Sequence, residues 1–107
     1  MSWTAGAHVY SGRPDPEWQP ASDVVAALLA LWDQLDEATV PADSAPPLGY
    51  RGCYLRQVTG PMWRAYGTRV MMSGAGASIT RADPEQAFER RLLRSAPPGL
   101  LPPGVVP

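Results

Sequence analysis

The sequence predicts a small α+β domain, an antiparallel sheet of three to five strands with two helices packed on it and an extended proline-rich C-terminal tail. Three observations carry this expectation. Residues 22–38 repeat apolar side chains at helical spacing, residues 83–94 open with a strong helix start, and between them short aromatic and β-branched runs are separated by glycine and proline turns. At 107 residues the chain is read as one domain, 1–96, followed by the tail, 97–107. That length is near the size at which a single core is marginal, which favours a homodimer.

Residues 7–11, AHVYS, read as a short strand between Gly6 and Gly12. The loop SGRPDPEW follows, and Arg13 and Asp15, each preceding a proline, are pushed toward extended backbone, so the loop is stiff. Two roles for it stay open at this point. Trp18 packs beneath the first helix while Arg13 pairs with a nearby carboxylate, or Arg13 offers its planar fork to a carboxylate or carbonyl of a partner.

In the next segment Val25, Leu28, Trp32 and Leu35 recur at three- and four-residue steps, widened by Val24 and Leu31, as one buried helical face requires. Ser22 is the expected cap, and Asp23 suits the positive end of the helix dipole. Thr39, Val40 and Pro41 end the helix, and PADSAPPLG is a linker. Tyr50–Val58 reads as a strand with Tyr54 and Arg56 on one side and Cys53 and Leu55 on the other; both faces are mixed, so the core side stays open. Thr59, Gly60 and Pro61 turn the chain into MWRAYGTRVMM, two short strands hinged near Tyr66 and Gly67. After a flexible turn at 74–78, Ile79 begins a last strand.

The second helix has Asp83 as its expected cap, Pro84 at its first position and Gln86 placed for a capping-box-like pair, with Phe88 and Leu92 as its apolar stripe. The tail cannot be helical through its prolines, yet Leu100, Leu101, Val105 and Val106 are too apolar to be idle. It is a strap within the chain or an arm exchanged in a dimer.

Composition narrows the chemistry. No apolar run approaches the ~18–20 residues of a membrane helix, and the first residues lack the features of a signal peptide, which predicts a cytoplasmic protein without membrane contact. With Cys53 the single cysteine and His8 the single histidine, neither an intramolecular disulfide nor a Cys/His zinc site is available, and no metal or cofactor is expected. The segment RGCYL has Cys53 where an RNA-stacking strand needs an aromatic, and the sequence pI of 5.7 also argues against nucleic acid. GAGAS lacks the residues of a phosphate loop. Cys53 as a nucleophile needs a base that only His8 can supply as an imidazole, and a buried thiol is the commoner state. Charge is segregated along the chain: residues 1–48 hold one arginine against seven carboxylates, and residues 49–107 eight arginines against three. The acidic half either lies against the basic half or leaves a basic surface for an acidic partner.

The stretches SGRPDPEW, LGYRGC and DPEQAFERRLL, in that order and spacing, resemble a group of small bacterial proteins marked by an SGRPxPxW loop, a GYRG strand and a final capped helix. That pattern tends to have an aromatic at the position of Cys53 and asparagine at that of Asp15. The chain is also similar to the peptide-binding accessory proteins of crocagin-type pathways, which make ribosomally encoded, modified peptides (RiPP biosynthesis). The resemblance implies a non-catalytic protein that binds a precursor or leader peptide and presents it to tailoring enzymes.

Site residues follow from the chemistry of the side chains alone. Arg13, Arg51, Arg56 and Arg64 are expected to meet acidic groups of an extended peptide, and Trp18, Tyr54, Trp63 and Tyr66 to supply apolar contact along a sheet edge or a sheet-helix groove. No catalytic residue is assigned. The alternative is a small cofactor-independent cyclase or isomerase that uses a tyrosine or carboxylate, such as Tyr54 or Glu85, as acid or base on a bound peptide.

Overall fold

Seven strands form one antiparallel sheet in the computed structural model, which describes residues 3–10, 14–38, 50–74, 76–102 and 104–105. The elements are β1 (Trp3–Ala7), β2 (Glu17–Trp18), α1 (Ser22–Gln34), β3 (Asp36–Glu37), β4 (Cys53–Gln57), β5 (Met62–Tyr66), β6 (Arg69–Gly74), β7 (Ala77–Ala82) and α2 (Ala87–Arg94). The sheet order is β2-β1-β4-β5-β6-β7-β3. The α+β class and the two helices agree with the sequence reading, but seven strands replace the expected three to five. Both additional edge strands are only two residues long, too short to leave a period in the sequence.

β1 lies earlier than the 7–11 expected. Ala5, Gly6 and Ala7 are poor strand formers by composition, yet Ala5 and Ala7 are fully buried in the core. His8 extends the pairing, donating to Gly52 O at 2.8 Å and accepting from Arg51 N at 2.7 Å. From β4 onward the chain is a simple meander, β4 to β7, as the turns at 59–61 and 67–68 imply.

α1 carries the chain from one edge of the sheet toward the other, a 13-residue helix about 20 Å long. Its buried residues are Val25, Leu28 and Trp32, the spacing the sequence showed. Ser22 is not the cap: Ala21 occupies that position without a side-chain bond, and its carbonyl accepts Val25 N at 3.1 Å. The helix also stops at Gln34, earlier than its periodicity suggests. Asp36 and Glu37 pair with Ala82 and Arg81, and Ala38 N donates to Thr80 O, so backbone pairing on β7 outcompetes another helical turn. Arg81 seals that end, its Nη1 donating to Trp32 O at 2.8 Å while its guanidinium stacks 4.3 Å over the Trp32 ring. A cation thus meets the negative end of the helix dipole.

α2 packs against α1, β4 and β5 on the same side of the sheet. Asp83 is not at its cap position, which Gln86 holds without a side-chain bond, and the first helical residue is Ala87 instead of Pro84; Asp83 still reaches into the first turn. Its Oδ2 accepts Phe88 N at 2.8 Å, and Gln86, with φ of 56°, turns the chain into the helix instead of closing a capping box. The core between sheet and helices gathers Trp18, Cys53, Leu55, Trp63, Ala65 and Val70 against Leu28, Trp32, Phe88 and Leu92. Leu100, Leu101 and Val105 of the tail are partly buried against the same core; Val106 lies outside the described residues.

Candidate functional site

Side chains alternate across a strand, so the burial of Leu55, Trp63 and Val70 under the helices sends their sequence neighbours to the opposite face. Register then places Gly6, Tyr54, Arg64, Met71 and Thr80 in one row across five strands. Thr4, Arg56, Met62 and Ser73 form the row on one side, and Tyr66 pairs with Arg69 on the other. No described helix covers this face.

Tyr54 is only 6% exposed although it stands on this face. It lies across Gly6, where a Cβ would overlap the phenol ring, and its hydroxyl donates to Glu17 on β2. Arg56 Nη2 meets the same Glu17 oxygen at 3.3 Å, a half-exposed pair that holds orientation more than it adds stability. Burial pushes the Tyr54 hydroxyl above its usual range, and the Glu17 carboxylate adds to the rise, so the phenol keeps its proton and acts as a donor.

The SGRPDPEW loop is fastened through its carboxylates. Asp15 Oδ1 accepts Val9 N and Tyr10 N, each at 3.0 Å, while Oδ2 lies 3.0 Å from His8 Nδ1. Burial pushes the Asp15 carboxyl up, but these hydrogen bonds outweigh it and the group ends below its usual range. Arg51 Nη2 donates to Tyr10 O and sits 3.9 Å from Asp15 Oδ1. The sequence reading looked to Arg13 and Trp18 in this loop and passed over Asp15 and Glu17. Their signal was the placement of two carboxylates on a proline-stiffened loop that leads into an edge strand.

Beside Tyr54 the open face dips into a cleft of about 160 Å³ whose lining includes His8, Arg51, Arg64, Tyr66, Arg69 and Met71. Gly52 forms part of its wall with φ of 110°, and a Cβ there would stand 2.9 Å from Ala65 O. Only glycine meets both conditions. Arg69 Nη1 is held by the Thr68 carbonyl and hydroxyl, at 3.0 and 3.1 Å. Among the described residues Arg64 makes no ion pair. Arg69 and Met71 were not singled out from the sequence, because only the β5–β6 register reveals that they share a surface with Arg64 and Tyr66.

A second polar group lies on the helix side of the sheet. Tyr50 OH donates to Glu89 Oε2 at 2.5 Å, and Cys53 is fully buried nearby with Sγ 3.8 Å from Ala65 O. Burial pushes the Tyr50 hydroxyl and the Cys53 thiol far above their usual ranges, and Glu89 adds to both. Burial likewise raises the Glu89 carboxyl, against the hydrogen bonds it accepts from Tyr50 and the Gly67 amide. Burial therefore holds the Cys53 thiol in its protonated form.

Of the eight residues expected to form the site, Arg51, Tyr54, Arg56, Arg64 and Tyr66 gather on the open face and its cleft. Trp18 and Trp63 are core residues: Trp18 Nε1 donates to Ser95 Oγ at 2.9 Å, and the Trp63 ring lies 5.8 Å from that of Trp3. Arg13 lies outside the described residues. Among the described residues no cluster of three His, Cys, Asp or Glu side chains forms a metal site, and no helix is long and apolar enough to cross a membrane. The acidic half only partly answers the basic one, since among the described residues Asp23, Asp33, Asp36 and Glu37 form no ion pair with an arginine. No family model, no curated protein and no solved structure matches the chain.

Proposed function

We propose that the protein is a non-catalytic peptide-binding module that takes an extended precursor or leader peptide and presents it to tailoring enzymes in the making of a ribosomally encoded, modified peptide. The observation that carries this reading is the one-sided packing of the sheet. Both helices pack on one face, and the other sets Tyr54, Arg56, Arg64, Tyr66 and Met71 side by side in register. A surface of guanidinium groups, phenols and thioethers suits an extended acidic chain, with apolar contact from one face of each residue and charge pairing at the rim. The open face is preferred over the edges, which β2 and β3 occupy. A homodimer working in the cytoplasm remains part of the proposal.

The reading is tested by calorimetry with the precursor peptide encoded beside this gene. Binding at tens of micromolar or tighter, about −6 kcal/mol or better, is expected, and Arg64→Ala with Arg56→Ala should weaken it. Absence of binding in that range sinks the proposal.

A further inference from the structure

We infer that the outward side of α1, flanked by the arginines of α2, is the surface on which two copies of this chain pair, about a two-fold axis that sets the two α1 helices antiparallel. The inference gives the homodimer a surface. It rests on residues of the helix layer, which the peptide-binding reading does not use.

A surface helix ordinarily turns charged or polar side chains to solvent along its outer face. In α1 residues 24–32 are apolar without a break, so polar side chains stand only at its two ends. Val25, Leu28 and Trp32 take the core side, while Ala26 and Ala30 are exposed. Their short side chains let another helix approach closely, and the partly buried Val24 and Leu31 border them.

Charge points to a second copy as the occupant. At the start of α1, Arg91 and Arg94 of α2 share a depression of about 280 Å³ with Asp23, Val24 and Ala27. Both arginines are exposed and, among the described residues, make no ion pair, with Asp23 or with Glu85 nearby. At the other end of α1, Asp33 and Glu37 are exposed and equally without an ion pair among the described residues; Arg81 beside them is engaged by Trp32. A two-fold axis across α1 reverses one copy on the other, so each basic end comes to lie on an acidic end, and the contact closes at two copies. A stable pair buries roughly 800 Å² on each partner, whereas the outward strip of α1 offers about 20 Å by 10 Å. The outer side of α2, where Arg91 and Arg94 stand, must therefore share the contact. Such a pairing leaves the open face of each sheet turned away from its partner.

Sedimentation equilibrium on the full chain and three variants tests this, with circular dichroism to confirm that each variant folds. The wild type should dimerise at tens of micromolar or tighter and more weakly as salt is raised. Ala30→Glu sets a charge in the middle of the contact and should raise the dissociation constant roughly tenfold or more. Arg91→Glu with Arg94→Glu, and Asp33→Lys with Glu37→Lys, should each lose the dimer, because like charges then face one another. Mixing these two charge-reversed proteins in equal amounts should restore it as a heterodimer. A wild type that stays monomeric at about 100 µM, a dimer that none of these changes weakens, or a mixture that fails to associate overturns the inference. Peptide calorimetry reads the opposite face of the sheet, so failure of the one reading is told apart from failure of the other.

Discussion

The indole of Trp18 donates to Ser95 Oγ at 2.9 Å, joining the end of the SGRPDPEW loop to the residue that follows α2, 77 positions away in the chain. Ser95 in turn donates to Leu92 O at 2.6 Å, so the loop is tied to the end of the last helix. Ser95→Ala leaves a buried N–H without its partner and should cost about 1–3 kcal/mol. Trp18→Phe should cost a similar amount, and the double variant less than the sum because both changes remove the same bond. Urea denaturation of the four proteins measures this; strict additivity would show that the bond contributes nothing of its own.

Tyr54 lies over Gly6, so residue 6 is the seat of the phenol ring on the open face. Gly6→Ala forces the phenol off its seat and away from Glu17, at a cost of about 1–3 kcal/mol. Tyr54→Ala in the same chain should relieve most of that added cost. A fully stable Gly6→Ala protein with native tyrosine packing, read by near-ultraviolet circular dichroism, would contradict the arrangement.

Glu89 predicts a pH dependence opposite in sign to that of an ordinary ion-paired carboxylate. Its folded pKa is raised above the ordinary value of 4.5, so the native chain holds the proton more tightly than the unfolded one. The resulting stabilisation is fully present below pH 4.5 and is lost as pH rises through the folded value. Relative to Glu89→Gln, the wild type should therefore lose stability as pH rises above that point, with a flat difference below it. Denaturant midpoints across the acid range check this, and a difference that does not vary with pH would refute it.

Asp15 has the reverse sign. Its pKa is lowered from 3.8, so its contribution is present above that value and disappears as pH falls through the folded one. Asp15→Ala strips the acceptor from two backbone amides and should cost about 1–3 kcal/mol. Asp15→Asn keeps an acceptor for them, so it should retain most of the stability and lose the acid dependence. Chemical denaturation of the two variants at neutral and acid pH separates charge from hydrogen bonding.

The legible parts of the fold were those with local cause. The α1 face of Val25, Leu28 and Trp32, the hairpin at Gly67 and the stop of α2 before the prolines all follow from periodicity or turn chemistry within a few residues. β1 and β2 were not legible, because Ala5, Gly6 and Glu17 become strand residues only through partners on other strands. The candidate site was half legible: residue types named Arg51, Tyr54, Arg56, Arg64 and Tyr66, while register alone brought in Arg69 and Met71 and sent Trp63 to the core.

By itself the sequence determined the α+β class, the helical faces and a chain whose acids and arginines lie in opposite halves. Tertiary structure decided which side of the mixed β4 strand is buried, since Cys53 and Leu55 are less costly to dehydrate under the helices than Arg56. That choice turned Tyr54 onto the open face, where Gly6 has room for it and Glu17 accepts its hydrogen bond. It also fastened the SGRPDPEW loop through Asp15, Glu17 and Trp18, the clasp that was one of the two roles its sequence left open. Those contacts join residues far apart in the chain, and no local pattern encodes them.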